Sequence, residues 1–170
     1  MTSTETTPER ATTPTLKAVG HVALTVRDLA VSVPWYQALI GAEPVLDEDT
    51  GPFRHVVFVL GETMLGLHQF PEGIEDVAHT PRRPGLDHMA FAVTDRQELV
   101  AWARRLEAMG IEHGGIVDAP YGSGLAIKDP DGLPLELFAA PGDGRRSAGS
   151  GPVRTRPRRP GAPGGGAALA

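Results

Sequence analysis

The residues of this sequence best suited to chemistry are three histidines and a glutamate at comparable places in two halves of the chain. His21 and His88 each begin a run of alternating large and small side chains, and His68 and Glu136 lie in two later apolar runs. Imidazole nitrogens combined with one carboxylate suit divalent Zn, Fe, Ni, Co or Mn. If these four side chains converge in the fold, they form a site for one divalent metal ion.

The alternation of side chains along a β-strand decides what surrounds these donors. In the first run His21 shares a face with Ala23, and in the second His88 shares a face with Ala90. Small side chains beside the histidines leave a cavity where larger ones would fill a core. Glu136 lies in the middle of a predicted strand, where a buried carboxylate requires a partner because an unpaired buried charge is strongly unfavourable. These faces therefore predict a cavity lined by metal ligands.

Further side chains are candidates for the wall of the same cavity. His68 is expected to act as a fourth metal ligand or as an acid–base residue, with a plain lining role as the alternative. His55, on a neighbouring predicted strand, either lines the cavity and contacts substrate or has a structural role. The segment 118–124 is predicted as a flexible loop at the mouth of the pocket, because it contains two glycines. Its Asp118 and Tyr121 are candidate substrate contacts, with a plain turn as the alternative.

The elements that must position these residues occur twice, because the sequence repeats itself at an offset of 67 residues. Of 19 positions compared from His21 and from His88, seven are identical. Each copy predicts a strand followed by a helix, over 29–40 and over 96–109, with an N-capping Asp before each helix. Three strand-like runs follow each helix, near 43–47, 53–60 and 63–70, and near 112–117, 122–128 and 133–139. The sequence predicts an α+β fold of two βαβββ modules forming a cupped mixed sheet.

Composition divides the chain into one domain and two tails. Residues 1–15 and 141–170 contain few large apolar side chains and are predicted to be disordered. The C-terminal tail is rich in Gly and Pro and contains six Arg and one Asp. The domain between the tails, 16–140, consists of module one (16–70), a linker with several Pro and Gly (71–85) and module two (86–140).

Charge and composition exclude several classes of protein. The basic tail has a net charge of +5 and residues 1–15 have −1, so the chain total of −5 leaves −9 for the domain. An acidic domain disfavours binding to nucleic acid. Cysteine is absent, which excludes a disulfide framework, thiolate metal sites and a cysteine nucleophile. The sequence shows neither a secretory signal nor an apolar run approaching the ~20 residues of a membrane span. We therefore expect a cytoplasmic protein without a membrane partner.

Three motifs, GHVALTVRDL, DHMAFAV and KDPDGLPLELF, resemble the vicinal oxygen chelate superfamily over residues 18–140. This superfamily includes glyoxalase I, bleomycin-resistance proteins, fosfomycin-resistance enzymes, methylmalonyl-CoA epimerase and extradiol dioxygenases. The resemblance implies βαβββ modules paired around a cup that holds one metal ion. By position, His21, His88 and Glu136 match the two-histidine, one-carboxylate set of the family. His68 falls where glyoxalases and epimerases place a fourth ligand, and near the acid–base histidine of ring-cleaving members.

The resemblance implies a metal-dependent enzyme whose small substrate chelates the ion through two neighbouring oxygens. Lyase or isomerase chemistry through an enolate is favoured, with Glu136 or His68 moving the proton. An Fe(II) dioxygenase and a small-molecule-binding, drug-sequestering resistance protein are the alternatives. Ring-cleaving members place a Tyr ten residues before the metal-binding Glu, where this sequence has Ala126. Many relatives are dimers and some build the site from two chains, so a homodimer stays open.

Overall fold

The computed structural model describes residues 15–73, 75 and 77–142. Module one contains β1 (His21–Thr25), α1 (Leu29–Ile40), β2 (Leu46–Asp49), β3 (Arg54–Leu60) and β4 (Thr63–Gln69). Module two contains β5 (Met89–Val93), α2 (Arg96–Ala108), β6 (His113–Ala119), β7 (Gly122–Lys128) and β8 (Pro134–Ala139). The predicted fold of two βαβββ modules is confirmed. Both predicted tails lie outside the described residues, apart from residues 15, 141 and 142.

Each module forms its own four-stranded mixed sheet. The strand orders are β1-β4-β3-β2 and β5-β8-β7-β6. In both sheets the first strand pairs in parallel with the last, and the other neighbours are antiparallel. The parallel pair requires a crossover, which the helix and the two following strands supply. Within the described part of the chain, β1 and β5 therefore each have one edge without a neighbouring strand.

The helices begin and end where local chemistry favours it. The carboxylate of Asp28 accepts a hydrogen bond from the backbone N–H of Ala30 at 2.8 Å, and that of Asp95 accepts from Glu98 at 2.9 Å. Each bond satisfies a backbone donor that has no partner within the first helical turn. Helix α1 ends at Gly41, which adopts the left-handed conformation at φ 77°. No helix among the described residues is long and apolar enough to cross a bilayer.

Each helix covers one face of its sheet and leaves the other uncovered. The covered faces bury the aliphatic and aromatic side chains Leu24, Val56, Phe58, Leu65 and Leu67 in module one, and Leu125, Ile127, Leu135 and Leu137 in module two. We call the uncovered face of each sheet its open face. In module one the open face carries His21, Ala23, Thr25, His55, Gly66 and His68. In module two it carries Ala90, Ala92, Gly124, Ala126, Glu136 and Phe138.

The two modules of one chain are joined by polar contacts at the turn before β8. The Tyr36 hydroxyl of α1 donates to the buried carboxylate of Asp129 at 3.0 Å. Arg27, just after β1, forms an ion pair with Asp131 at 3.1 Å. Within the described ranges, no helix or strand of one module has a Cα atom within 8 Å of an element of the other. The two sheets of one chain are therefore not joined edge to edge.

The segment 118–124, predicted as a flexible loop, is instead the tip of the tight β6–β7 hairpin. Strand β6 ends at Ala119, β7 begins at Gly122, and these two residues pair across the strands. The glycines of this segment serve close packing, because a Cβ atom at Gly122 would collide with the ring of Phe138. The prediction of a loop was wrong because it attributed these glycines to backbone freedom. Their absence of a side chain instead leaves space for side chains of the neighbouring strand β8.

Candidate functional site

The open face of module two brings together two of the predicted metal ligands. His88 lies immediately before β5, and Glu136 lies in the middle of β8 opposite Ala90. The Nε2 atom of His88 is 3.8 Å from Oε2 of Glu136. Two donors that bind one ion at about 2.0–2.2 Å lie roughly 3–4 Å apart. The spacing of this pair therefore suits two ligands of a single metal ion.

The strand next to Glu136 keeps its carboxylate accessible. Ala126 pairs directly with Glu136 across β7 and β8. Gly124 lies under the carboxylate, because a Cβ atom built there would overlap Oε1 and would lie 2.9 Å from Cδ. The Glu136 side chain is 29% exposed, and none of the described Arg or Lys side chains forms an ion pair with it. Among the described residues, the ion-pair partner of this half-buried carboxylate is an imidazole, and this arrangement leaves room for a cation.

A carboxylate also faces the other nitrogen of the His88 ring. Oδ1 of Asp87 lies 2.8 Å from Nδ1 of His88. The two nitrogens of this imidazole are thus each directed toward a different carboxylate, Asp87 on one side and Glu136 on the other. Sequence reasoning missed Asp87, although it directly precedes His88 in the motif DHMAFAV.

The open face of module one carries a cluster of imidazole and aromatic rings. His55 and His68 are directly opposite each other on β3 and β4, with ring centroids 5.4 Å apart. Phe53 stacks on His68 with a centroid distance of 4.7 Å and an interplanar angle of 22°. Nε2 of His55 lies 3.2 Å from a carboxylate oxygen of Glu48 on β2. Sequence reasoning missed Phe53 and Glu48, whose roles depend on cross-strand pairing.

The environment of His68 favours its neutral form. Burial lowers the pKa of His68, and the neighbouring imidazoles of His55 and His21 lower it further when they carry charge. His21 lies on the same open face, because it shares a face of β1 with Thr25, which pairs with His68. A neutral imidazole at pH 7 can accept a proton from a substrate, so the arrangement suits a general base.

The pairing register shows how His68 reaches the place equivalent to Glu136. Ala23 pairs with Gly66 in module one, and Ala90 pairs with Glu136 in module two. Since the repeat aligns Ala23 with Ala90, the strand position equivalent to Glu136 is Gly66. A Cβ atom at Gly66 would lie 3.3 Å from Nε2 of His68 and 3.6 Å from Cβ of Ala23. The His68 ring therefore extends over Gly66 and supplies a nitrogen where module two has a carboxylate.

The structure separates the two residues predicted in the 118–124 segment. The Asp118 carboxylate accepts hydrogen bonds from Arg96 at 2.8 Å and from the Ser123 hydroxyl at 2.6 Å. The hydrogen bond from Arg96 holds the pKa of Asp118 below its usual value. Arg96 and Ser123 both lie on the side of the sheet that α2 covers. Tyr121 is 73% exposed and stacks against Phe138 with centroids 6.5 Å apart. Tyr121 therefore flanks the open face near Glu136, whereas Asp118 is held away from it.

One chain does not bring the whole predicted ligand set together. His21 and His68 lie on module one, whereas His88 and Glu136 lie on module two. In the part of a single chain that the structure describes, no three His, Asp or Glu side chains are close enough to hold a metal ion. The alternation of side chains along each strand correctly predicted that all four residues lie on open faces. This alternation does not determine which open faces come together.

Comparisons with known proteins cover the region of both modules. The sequence matches the profile of the Glyoxalase/Bleomycin resistance protein/Dioxygenase superfamily over residues 18–137. It is 34% identical over 131 residues to the uncharacterized protein YaeR of Escherichia coli (strain K12), covering 72% of this chain and 96% of YaeR. It is 31% identical to a catechol-2,3-dioxygenase of Bacillus subtilis (strain 168), over 71% of this chain and 41% of that enzyme.

Solved structures show the same architecture. The crystal structure of a glyoxylase/bleomycin resistance protein/dioxygenase domain from Frankia sp. EAN1pec superposes with a TM-score of 0.67 at 28% sequence identity. That match covers 75% of this chain and 100% of the Frankia chain. The similarity therefore extends over a complete chain of the same fold.

Proposed function

The chain belongs to the glyoxalase/bleomycin resistance protein/dioxygenase superfamily, and from this premise we propose that it is a divalent-metal-dependent enzyme. Its substrate is a small molecule with two neighbouring oxygens, and its chemistry is the proton transfer of a lyase or isomerase. The observation that carries the proposal is the donor pair of module two, with His88 Nε2 and Glu136 Oε2 separated by 3.8 Å. A half-buried carboxylate without an Arg or Lys partner in the described structure fits a bound cation.

The residues that would hold the ion are His21, His88 and Glu136, with His68 as a fourth ligand or as a base beside it. Two or three imidazoles and one carboxylate suit Zn, Fe, Ni, Co or Mn. A divalent ion in this set would act as a Lewis acid toward two neighbouring substrate oxygens and acidify the adjacent C–H bond. We favour the role of base for His68, because its burial and its imidazole neighbours keep it neutral.

We propose that a second copy of the chain completes the same site. The described residues of one chain do not bring His21 to His88 and Glu136, whereas each module presents an open face beside an unpaired edge strand, β1 or β5. In a two-fold homodimer, module one of each protomer would face module two of its partner. We propose that this dimer contains two equivalent sites. Such pairing would also cover the unpaired strand edges, which a protein otherwise protects against aggregation.

In the catalytic step that we propose, His68 removes a proton from the substrate carbon next to the chelating oxygens. Nε2 of His68 is held over Gly66, and stacking on Phe53 restricts the ring. Cross-strand packing against His55 limits its movement on the other side. The small side chain of Ala126, which pairs with Glu136 across β7 and β8, leaves space for the substrate beside the carboxylate. Returning the proton to a different atom or face of the substrate would complete an isomerisation.

An Fe(II) dioxygenase is the second candidate. It is supported by the 31% identity to a catechol-2,3-dioxygenase and by the stacked pair of exposed Tyr121 and half-buried Phe138, a surface that suits a flat ring. Against it, the residue paired directly with Glu136 is Ala126, so β7 offers no phenol at the position of the family's ring-cleaving tyrosine. A protein that only sequesters a small molecule has no need of the His88–Glu136 donor pair.

Metal analysis tests the proposed function most directly. Protein purified without chelator, in air and anaerobically, is expected to contain one divalent ion per chain. Glu136→Gln and His88→Ala should each lose this ion, while His79→Ala, a histidine of the linker, should retain it. An unchanged metal content and affinity in Glu136→Gln would show that Glu136 is not a ligand. Oxygen consumption by the anaerobically loaded Fe(II) protein with a catechol would favour the dioxygenase.

Mixing two inactive variants tests whether the site is shared between chains. His21→Ala and Glu136→Gln, unfolded together and refolded at equal concentration, should form heterodimers in which one of the two sites has all its ligands. About half of the chains would be in heterodimers if association is random, so about a quarter of the wild-type sites should return. A site built within one chain would stay empty in every mixture.

A further inference from the structure

The two ring nitrogens of His88 have different partners, and this difference indicates a role for Asp87. Oδ1 of Asp87 lies 2.8 Å from Nδ1, and Oε2 of Glu136 lies 3.8 Å from Nε2. The first distance is that of a hydrogen bond, whereas the second leaves room for an ion between the two groups. A neutral imidazole has one N–H and one lone pair, so only one nitrogen can be the donor.

The contact with Asp87 favours one of the two tautomers of a neutral His88 ring. With its proton on Nδ1, the His88 ring donates to the Asp87 carboxylate and keeps the Nε2 lone pair directed toward Glu136. With its proton on Nε2, the ring would place a lone pair against the Asp87 carboxylate, which is repulsive. Carboxylates that accept a hydrogen bond from a metal-bound histidine fix both its tautomer and its ring orientation.

Packing and charge pairing do not explain the position of Asp87. Its side chain is 64% exposed, and exposed carboxylate–imidazole pairs add little to stability. Among the described residues, its one charged partner is the adjacent His88. The repeat supplies a contrast, since the residue before His21 that corresponds to Asp87 is Gly20. Of the two histidines that the repeat relates, only His88 therefore has a carboxylate immediately before it.

We propose that Asp87 is a positioning residue that holds His88 as the Nδ1–H tautomer and presents Nε2 to the ion bound with Glu136. The inference rests on the metal site of the proposed function. It assigns to one exposed carboxylate the task of preorganising a ligand before the ion binds. His21 has no such carboxylate before it in the sequence, because Gly20 occupies that position.

The experiment compares Asp87→Ala with the wild-type protein in two measurements. Long-range ¹H–¹⁵N NMR of the metal-free, full-length protein reports the tautomer of His88, assigned with His88→Gln. The wild type should show the Nδ1–H form, and Asp87→Ala should shift toward the Nε2–H form. Calorimetric titration with Zn²⁺ should show affinity reduced by about 10- to 100-fold in Asp87→Ala. Asp87→Asn, which keeps an acceptor oxygen, should fall between the two proteins.

Controls separate the failure of this inference from the failure of the metal site. Glu112→Gln changes an exposed carboxylate on the turn before β6 and should alter neither measurement. Because Asp87 is exposed, Asp87→Ala should unfold at the wild-type temperature, which excludes a general loss of folding. If Asp87→Ala keeps wild-type Zn²⁺ affinity while Glu136→Gln loses it, the positioning role is refuted and the metal site stands. If both keep it, the proposed metal site itself is wrong.

Discussion

Replacing Gly124 by alanine should damage the proposed metal site while leaving the fold intact. A Cβ atom at this position would overlap Oε1 of Glu136 and would lie 2.9 Å from Cδ and 3.5 Å from Cγ. An ordinary contact between such atoms requires about 3.4 Å or more, so Cδ must withdraw by roughly half an ångström and the carboxylate oxygen by more. The atoms that must move belong to the flexible end of a glutamate side chain, and the backbone is not forced to shift.

The effects of this substitution on stability and on binding should have opposite signs. Alanine in a strand avoids the entropy that glycine loses on folding, a gain of about 0.5–1 kcal/mol. Displacing a preorganised group by about 1 Å can reduce its contribution by roughly 100-fold. We therefore expect Zn²⁺ affinity to fall by about 10- to 100-fold, with a melting temperature equal to or slightly above that of the wild type.

The assay is competition for Zn²⁺ against a chromophoric chelator, combined with differential scanning calorimetry. Gly114→Ala is the matched control, because Gly114 also lies in a strand of module two and a Cβ atom there would meet nothing within 4 Å. Gly114→Ala should leave Zn²⁺ affinity unchanged. Wild-type affinity in Gly124→Ala would refute the reasoning, since Glu136 would then tolerate displacement and could not be a geometrically demanding ligand. A large loss of stability would show that the clash is absorbed by the backbone.

Three further predictions concern the module contact, the base and a residue outside the site. Tyr36→Phe removes a hydrogen bond to the buried Asp129 carboxylate and should lower the free energy of unfolding by about 1–3 kcal/mol in urea titrations; an unchanged midpoint would contradict it. His68 has a lowered pKa in the folded state, so the unfolded chain binds the proton more readily and stability should fall as the pH drops through about 6.5. His68→Gln should flatten this fall between about pH 8 and pH 5.5, and an equal slope would contradict the assignment. Asp118→Asn should break the Arg96 pair without changing Zn²⁺ affinity, and a loss of affinity would place Asp118 in the site.

Much of the architecture follows from local sequence, because its causes lie within a few residues. The helix predicted over 29–40 is observed as Leu29–Ile40, and the one predicted over 96–109 as Arg96–Ala108. Capping by an Asp and strand alternation need no distant partner. The same local signals recur 67 residues later, so the sequence predicts a second module like the first. The family, the two-module fold and the open-face position of the histidines were therefore predictable.

Glycine positions were misread because their reason lies on another strand. Gly124 and Gly122 suggested a flexible loop, yet they accommodate Glu136 and Phe138 of β8. Gly66 similarly makes room for the ring of His68, a relation that appears only once the pairing register of β1 and β4 is known. A glycine in the sequence shows that a side chain is absent. Which neighbouring side chain occupies the resulting space depends on pairing between strands that are distant in the sequence.

Sequence alone determined the donor types, their strand faces and the two-module fold, because alternation and capping act over short distances. Tertiary structure decided which donors meet. His88 and Glu136 come together because β5 and β8 pair in parallel with Ala90 opposite Glu136, whereas His21 lies on the open face of the other module, as do His55 and His68. The contact of Tyr36 with Asp129 couples residues 93 positions apart. Such long-range contacts orient one module against the other, and no local pattern of side chains encodes them.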